Sequence, residues 1–279
     1  AKLEGLFSTF SSKLLGDEKL YTFVTDKAEL DGLAPGFVAS LASAAEAQGK
    51  PGQWAIKNTR SSAQPVLQNA SNRALREKIW RTFVNRGDNG DANDTNAIIA
   101  NILKLRQERA VILGFKTHAD YRMDDTMAET PANAMKLMMS VWPAARARVL
   151  EEVADMQKVA DAEAVAAKRP KITVEGWDYR FYSEKVRKAK YDLDEAEVKP
   201  YLELNNMVNA MFYSAERLYG LAFKENTGAV PVFNPDVRTF EVSRDGKVVG
   251  LFYLDNFARA GKRSGAWATA YRGRSGLRG

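Results

Sequence analysis

The 279-residue chain has one histidine, His118, in the stretch GFKTHADYRMDD. An imidazole near carboxylates can move protons close to neutral pH or bind a metal ion. Either chemistry needs partners. A nucleophile needs a base within reach, and no Gly-x-Ser-x-Gly elbow offers one. Catalytic zinc takes three protein ligands, mostly His with a carboxylate or Cys. One His and no Cys cannot supply that set. Phosphate-cradling loops of the Gly-x-x-x-x-Gly-Lys and Gly-x-Gly-x-x-Gly types are also missing. The loop RGDNGDAND, Arg86 to Asp94, has the composition of a calcium loop. It lacks the sharp-turn Gly and the closing Glu at the required offsets. From residue types alone the chain shows no catalytic constellation, and an oxygen-only site for magnesium or calcium, which its carboxylates leave open, has no motif behind it. His118 reads as a residue in the first turn of a helix.

Most of the elements that carry these residues follow a helical period. Leu3, Leu6, Phe7, Phe10, Leu14 and Leu15 predict an amphipathic helix over Lys2–Leu15. A second helix opens at Pro35 and runs to Gln48. GQWAIKNT and AQPVLQ flank a Ser-rich turn, which predicts a small hairpin over Gln53–Leu67. Helices follow at about Asn72–Asn85 and Asp94–Leu113. Thr130 as N-cap with Pro131 at the first helical position starts a helix that passes Pro143 and reaches about Ala166. Met135, Met138 and Met139 on it read as flexible core filler. Two more helices are expected at Asp178–Lys190 and Glu203–Leu218. Beyond them the period switches to two: strands at Val237–Ser243 and Lys247–Leu254 are joined by Asp245-Gly246, a strong hairpin signal. The expected class is mainly α, a multi-helix domain with a small antiparallel β-sheet.

Composition narrows the function. Apolar and charged fractions of 45% and 27% belong to an ordinary globular protein. No apolar run approaches a membrane span, so no membrane partner is expected. The net charge of +6 includes Arg272, Arg274 and Arg278 near the C-terminus. The one dense basic cluster, KVRKAK from Lys185 to Lys190, sits beside Glu184 and Asp192. It reads as a solvated helix face, so no nucleic acid is expected as a partner. The lack of Cys fits a reducing, cytoplasmic compartment.

Several segments together resemble the thimet oligopeptidase family of zinc metallopeptidases, most closely its bacterial peptidyl-dipeptidase (dipeptidyl carboxypeptidase) branch. They begin with NDTNAIIANILKLRQERAVILGFKTHADYRMDDTMAETP. They continue through Trp177-Asp178, Tyr182, Pro200-Tyr201 and Leu218-Tyr219-Gly220-Leu221, and end in GLFYLDNFARAGKRSGAW. The resemblance covers roughly Leu3 to Trp267. It implies a peptidase that releases dipeptides from peptide C-termini with zinc-activated water, bound by a His-Glu-x-x-His helix that this sequence does not contain. Residues 1–267 are then expected to be the helical, channel-wall portion of such an enzyme. Residues 268–279 depart from the family pattern and are expected to lack order. Zinc belongs to the full-length family enzyme, and no cofactor is expected in this chain.

The resemblance also implies that a sheet edge near the cleft pairs with the peptide backbone. The candidate substrate-binding residues are Ser264, Gly265, Ala266 and Trp267, since small residues permit close backbone approach. Asp255, Arg259 and Lys262 match the family pattern and are expected to fix the turn after the last strand through charge-assisted bonds. The expected function is a fragment of a zinc metallopeptidase, inactive by itself for want of zinc ligands. The alternative is a non-catalytic helical module that binds peptides or a protein. Apolar faces left without partners would favour self-association.

Overall fold

The computed structural model describes residues 1–191, 195–259, 262, 265, 268–270, 272–273 and 276. The class is the expected one: mainly helical, with two small antiparallel sheets among the described residues. The chain divides into two compact units, one built on Ala1–Lys190 and one on Tyr191–Arg263.

The first unit opens with α1 (Lys2–Glu18), β1 (Tyr21–Val24), a 3-10 turn (Lys27–Leu30) and α2 (Pro35–Ala47). The hairpin expected over Gln53–Leu67 does not form. Its first half is β2 (Trp54–Lys57), which pairs antiparallel with β1 in the register Tyr21↔Lys57 and Val24↔Trp54. Its second half is a helix, α3 (Arg60–Asn69). The reason lies in the burial period. Ala63, Val66, Leu67 and Ala70 recur at i, i+3, i+4 and i+7, and all four are buried. They pack with Val24, Leu41, Ile56 and Leu75 in the main core of this unit. That helical face outweighs Pro65, which removes one backbone hydrogen bond inside α3.

Helices α4 (Arg73–Val84), α5 (Asn96–Ile112) and α6 (His118–Met123) follow within two residues of the expected boundaries where a boundary was read. Caps account for the starts of two of them. Asn72 accepts from the Leu75 N–H at 3.0 Å, and Thr117 accepts from the Asp120 N–H at 3.1 Å. His118 stands, as expected, in the first turn of α6.

Helix α7 runs unbroken from Pro131 to Ala166 with Pro143 inside it, and Thr130 accepts from the Asn133 N–H at 3.2 Å. Its C-terminal half is anchored: Met156 and Ala160 pack on Phe181 and Tyr182 of α8 (Tyr179–Tyr191). Its N-terminal half is bare. Met135, Met138 and Met139, expected as core filler, are 51%, 54% and 53% exposed. Every residue from Met135 to Leu150 is exposed. The correction has a geometric cause. A helix of 36 residues is about 54 Å long, and the packing that buries its side chains lies toward its C-terminal end, against α8. The KVRKAK cluster lies against the acidic residues of this helix. Lys185 pairs with Glu163, Lys190 with Asp155 at 2.6 Å, and Arg187 with its neighbour Glu184 at 2.6 Å. No helix among the described residues is long and apolar enough to cross a membrane.

The second unit begins with the short helix α9 (Glu195–Val198) and a 3-10 turn (Lys199–Leu202). Helix α10 (Leu204–Tyr219) follows, capped by Glu203, whose carboxylate accepts from the Asn206 N–H at 3.1 Å. Gly220 ends α10 in the left-handed conformation at φ 66°. A strand that the sequence reading did not identify, β3 (Leu221–Glu225), starts immediately. It pairs with β4 (Arg238–Arg244), and β4 pairs with β5 (Lys247–Leu254), giving the order β3-β4-β5. Asp245 and Gly246 both have positive φ, 51° and 73°, as a type I′ hairpin turn requires. One face of the sheet rests on α10 through phenylalanines. Phe212 stacks on Phe223 at 4.2 Å between centroids and meets Phe240 edge-on at 4.9 Å.

Candidate functional site

Strand β5 is an outer strand: among the described residues it pairs only with β4. Its alternate residues divide by face. Phe252 lies in the phenylalanine cluster, whereas Val249, Leu251 and Tyr253 are exposed. An outer strand leaves a row of backbone N–H and C=O groups unpaired, which an extended chain can join. Neighbouring exposed apolar side chains would then give such a chain something to pack on.

The chain leaving β5 is pinned as the sequence predicted. Arg259 donates to both oxygens of Asp255, at 2.7 and 2.9 Å. Lys262 donates to the backbone carbonyls of Asp255 and Phe257, at 2.7 and 2.9 Å. The Arg259 bond, aided by Lys262, holds the Asp255 carboxyl below its ordinary value despite partial burial. Asp255 and Arg259 are therefore charged near neutral pH, and with Lys262 they act on the shape of the turn.

At the start of α10 and the end of β5 lies a cavity of about 320 Å³, lined by Glu203, Asn205, Asp236, Arg238, Asn256 and Phe257 among others. Its cation is already compensated. Arg238 makes two bonds to Glu225, at 3.0 and 2.8 Å, and one to Asn205 at 3.1 Å. The Arg238 bond holds the Glu225 carboxyl down to about 2. Glu203 is occupied in capping α10. The cavity offers polar and apolar contacts, and no nucleophile paired with a base lines it.

Of the four candidate substrate-binding residues, Ser264, Ala266 and Trp267 lie outside the described residues. Gly265 has φ 102°, a conformation that side chains disfavour, and a Cβ added there would meet nothing within 4 Å. Gly265 groups with the first unit, whereas β5 belongs to the second. Among the described residues no group of three or more His, Cys, Asp and Glu could hold a metal ion. What the sequence reading missed lies around His118, where Arg106, Arg109 and Arg122 gather. The signal was present in the spacing: Arg106 and Arg109 are three apart on α5, and His118 and Arg122 four apart on α6.

The sequence profile of Peptidase family M3 matches residues 66–278. This chain belongs to Peptidase family M3. The M3 chain is 39% identical over 265 residues to the dipeptidyl carboxypeptidase of Escherichia coli, covering 94% of this chain and 38% of that protein. It is 36% identical over 275 residues to the chloroplastic and mitochondrial organellar oligopeptidase A of Arabidopsis thaliana, covering 95% of this chain and 34% of that protein. It is 33% identical over 273 residues to the oligopeptidase A of Escherichia coli, covering 95% and 39%. The M3 chain thus spans less than two-fifths of the length of these relatives.

Proposed function

We propose that this chain is part of a zinc-dependent M3 peptidase that releases dipeptides from the C-terminal ends of peptides in the cytoplasm. The observation that carries this reading is the 39% identity to a dipeptidyl carboxypeptidase across 94% of the chain. The residues present do not fit the zinc ion: the sequence has one His and no Cys, and the described residues include no metal-binding group. We therefore assign the chemistry to no residue of this chain. Its part is to wall the channel and to hold an extended peptide by its backbone, with Ser264, Gly265, Ala266 and Trp267 at the peptide's side.

By this reading the 279-residue chain alone is inactive. Purified chain, supplied with zinc and a blocked peptide substrate, should show no chelator-sensitive turnover. Turnover that persists through purification to constant specific activity, and that a chelator abolishes, would remove this part of the proposal. A non-catalytic peptide-binding module is the second reading, favoured by the open outer edge of β5. Peptides with free and with amidated C-termini separate the two. A channel for C-terminal dipeptides should prefer the free carboxylate, and a plain strand-pairing edge should not.

Self-association is a further expected property. The exposed stretch from Met135 to Leu150 carries Leu137, Val141 and Trp142 beside its methionines, and apolar surface of this extent favours contact with a second copy. Sedimentation should show a concentration-dependent dimer or larger oligomer. A monomer across a wide concentration range would count against it.

A further inference from the structure

Four basic side chains gather where α5 meets α6. Arg106 and Arg109 share a face of α5, and His118 and Arg122 share a face of α6. Aromatic rings lie against three of the four. The Arg109 guanidinium lies 5.2 Å from the Tyr121 ring centroid, and the His118 ring lies 6.1 Å from the same centroid. Tyr121 is itself braced edge-on by Phe115 at 5.4 Å. Arg106 sits 5.4 Å from the ring of Phe7 on α1.

A cation over a ring uses the flat face of the guanidinium and leaves the N–H groups along its edge available. Among the described residues those edges have no protein acceptor. Among the described residues Arg106, Arg109 and Arg122 make no ion pair within 4.0 Å and no side-chain hydrogen bond. The Nε of Arg109 and the Nδ1 of His118 are buried without a partner. The nearest acidic neighbour on α6, Asp120, is engaged by the Thr117 hydroxyl at 2.6 Å. Burial first, and then the charges of Arg106, Arg109 and Arg122, push the His118 imidazole below its ordinary value. Like charges drawn together without compensation repel one another. An aromatic frame that nevertheless flanks three of the four leaves a site shaped for a counter-charge.

We propose that Arg106, Arg109, Arg122 and His118 form a docking site for an oxyanion, a carboxylate or phosphate group, received by the free edges of the guanidinium groups. Such planar donors match carboxylate and phosphate oxygens in pairs. The site is independent of the peptidase reading, since it rests on side chains that reading does not use.

His118 is the one histidine in the chain, so its ring C–H resonance is a single reporter. The experiment follows that resonance in the full 279-residue chain during titration with inorganic phosphate, and separately with a short peptide bearing a free C-terminal carboxylate. Sodium chloride at matched ionic strength is the control. Phosphate or peptide should shift the resonance saturably and move its pH midpoint upward, because a bound anion offsets the field of the three arginines. Arg106→Gln with Arg109→Gln should weaken binding by roughly tenfold or more. It should also raise the midpoint before any anion is added. If that double variant does not fold, Arg122→Gln, at an exposed position, should give the same changes in smaller measure. A stronger response to the peptide makes a polypeptide carboxylate the ligand, and a stronger response to phosphate makes it a free anion. No saturable shift, or an equal shift with chloride, overturns the proposal.

Discussion

Replacing Asp178 with alanine should lower the stability of the first unit by about 3–5 kcal/mol. Asp178 precedes α8 and is fully buried. Its carboxylate receives Arg73 through Nε and Nη2, the latter at 2.8 Å, Arg76 through Nη2 at 2.8 Å, and the Glu175 N–H at 3.2 Å. The two arginines stand on α4, about a hundred residues earlier in the chain, so one carboxylate ties α4 to the start of α8. Removing it does not affect them equally. The Arg73 side chain is 38% exposed and can turn to water, whereas that of Arg76 is 2% exposed. Arg76 would keep its bonds to the carbonyls of Ala70 and Ser71 and its place 4.0 Å from the Phe181 ring centroid, as a buried charge without a counter-ion. That stranded charge is the main source of the loss. Urea unfolding followed by tryptophan fluorescence should report it, since Trp80 and Trp177 meet edge-on 5.7 Å apart beside this cluster. A loss under about 1 kcal/mol, the scale of a surface pair, would show that the buried pair is not what holds α8 in place.

The same carboxylate sets an acid limit. Burial alone would raise its value, but the bonds from Arg73, Arg76 and the Glu175 N–H outweigh that and hold it below the ordinary one. A group depressed in the folded state contributes stability in full above its unfolded value, about 3.9 for Asp. That contribution is lost as pH falls through the lower folded value. Unfolding of the native chain should therefore steepen below about pH 4. Asp178→Asn, which has no proton to take up, should show a flatter acid limb from a lower starting stability.

Asp17→Ala should cost about 3 kcal/mol and release the loop from Arg86 to Asp94. Asp17 is fully buried near the end of α1. Its carboxylate accepts from the Gly87 N–H at 2.6 Å, from Asn93 Nδ2 at 2.8 Å and from Asn89 Nδ2 at 3.3 Å. The residues that suggested a calcium loop are thus arranged around a carboxylate of the chain itself. Gly87 suits the close approach: its φ is 74°, and a Cβ there would fall 2.8 Å from Leu14 and 2.9 Å from Thr95. Without Asp17 a buried backbone donor has no acceptor, which costs more than the net value of the bond that formed. Amide exchange at Gly87 and limited proteolysis within 86–94 should both rise in the variant. Unchanged protection at Gly87 would show that Thr95, which donates to the Gly87 carbonyl at 2.8 and 2.9 Å, is enough to hold the loop.

The expectations that held rest on local rules. Thr130 with Pro131 started α7 where a cap and a fixed φ direct it. Asp245-Gly246 produced the turn that two positive φ values require. Asp255, Arg259 and Lys262 formed their turn within eight residues of chain. The failures were of another kind. AQPVLQ alternates well enough to pass for a strand, and its helical burial period becomes visible only once the surrounding core is known. Strand β1 has four residues and finds its partner thirty or more residues later. Strand β3 follows α10 without a spacer, and its identity comes from pairing with β4. The methionines of α7 look the same in sequence whether or not another element covers them. The candidate edge was legible only through family resemblance, and for Ser264, Ala266 and Trp267 it lies outside the described residues.

By itself, then, the sequence determined the helical class, most helix starts and ends, the final hairpin and membership of a peptidase family. Its 279 residues include one His and no Cys, and no His-Glu-x-x-His motif. These follow from period, caps and residue chemistry, all carried within a few turns of chain. Tertiary structure decided which charges are buried, that Asp17 organises a distant loop, that Asp178 joins two arginines of α4 to α8, and that three arginines surround His118. Each depends on side chains brought together from separate elements, where burial and unpaired charge, rather than neighbours in sequence, set the energy.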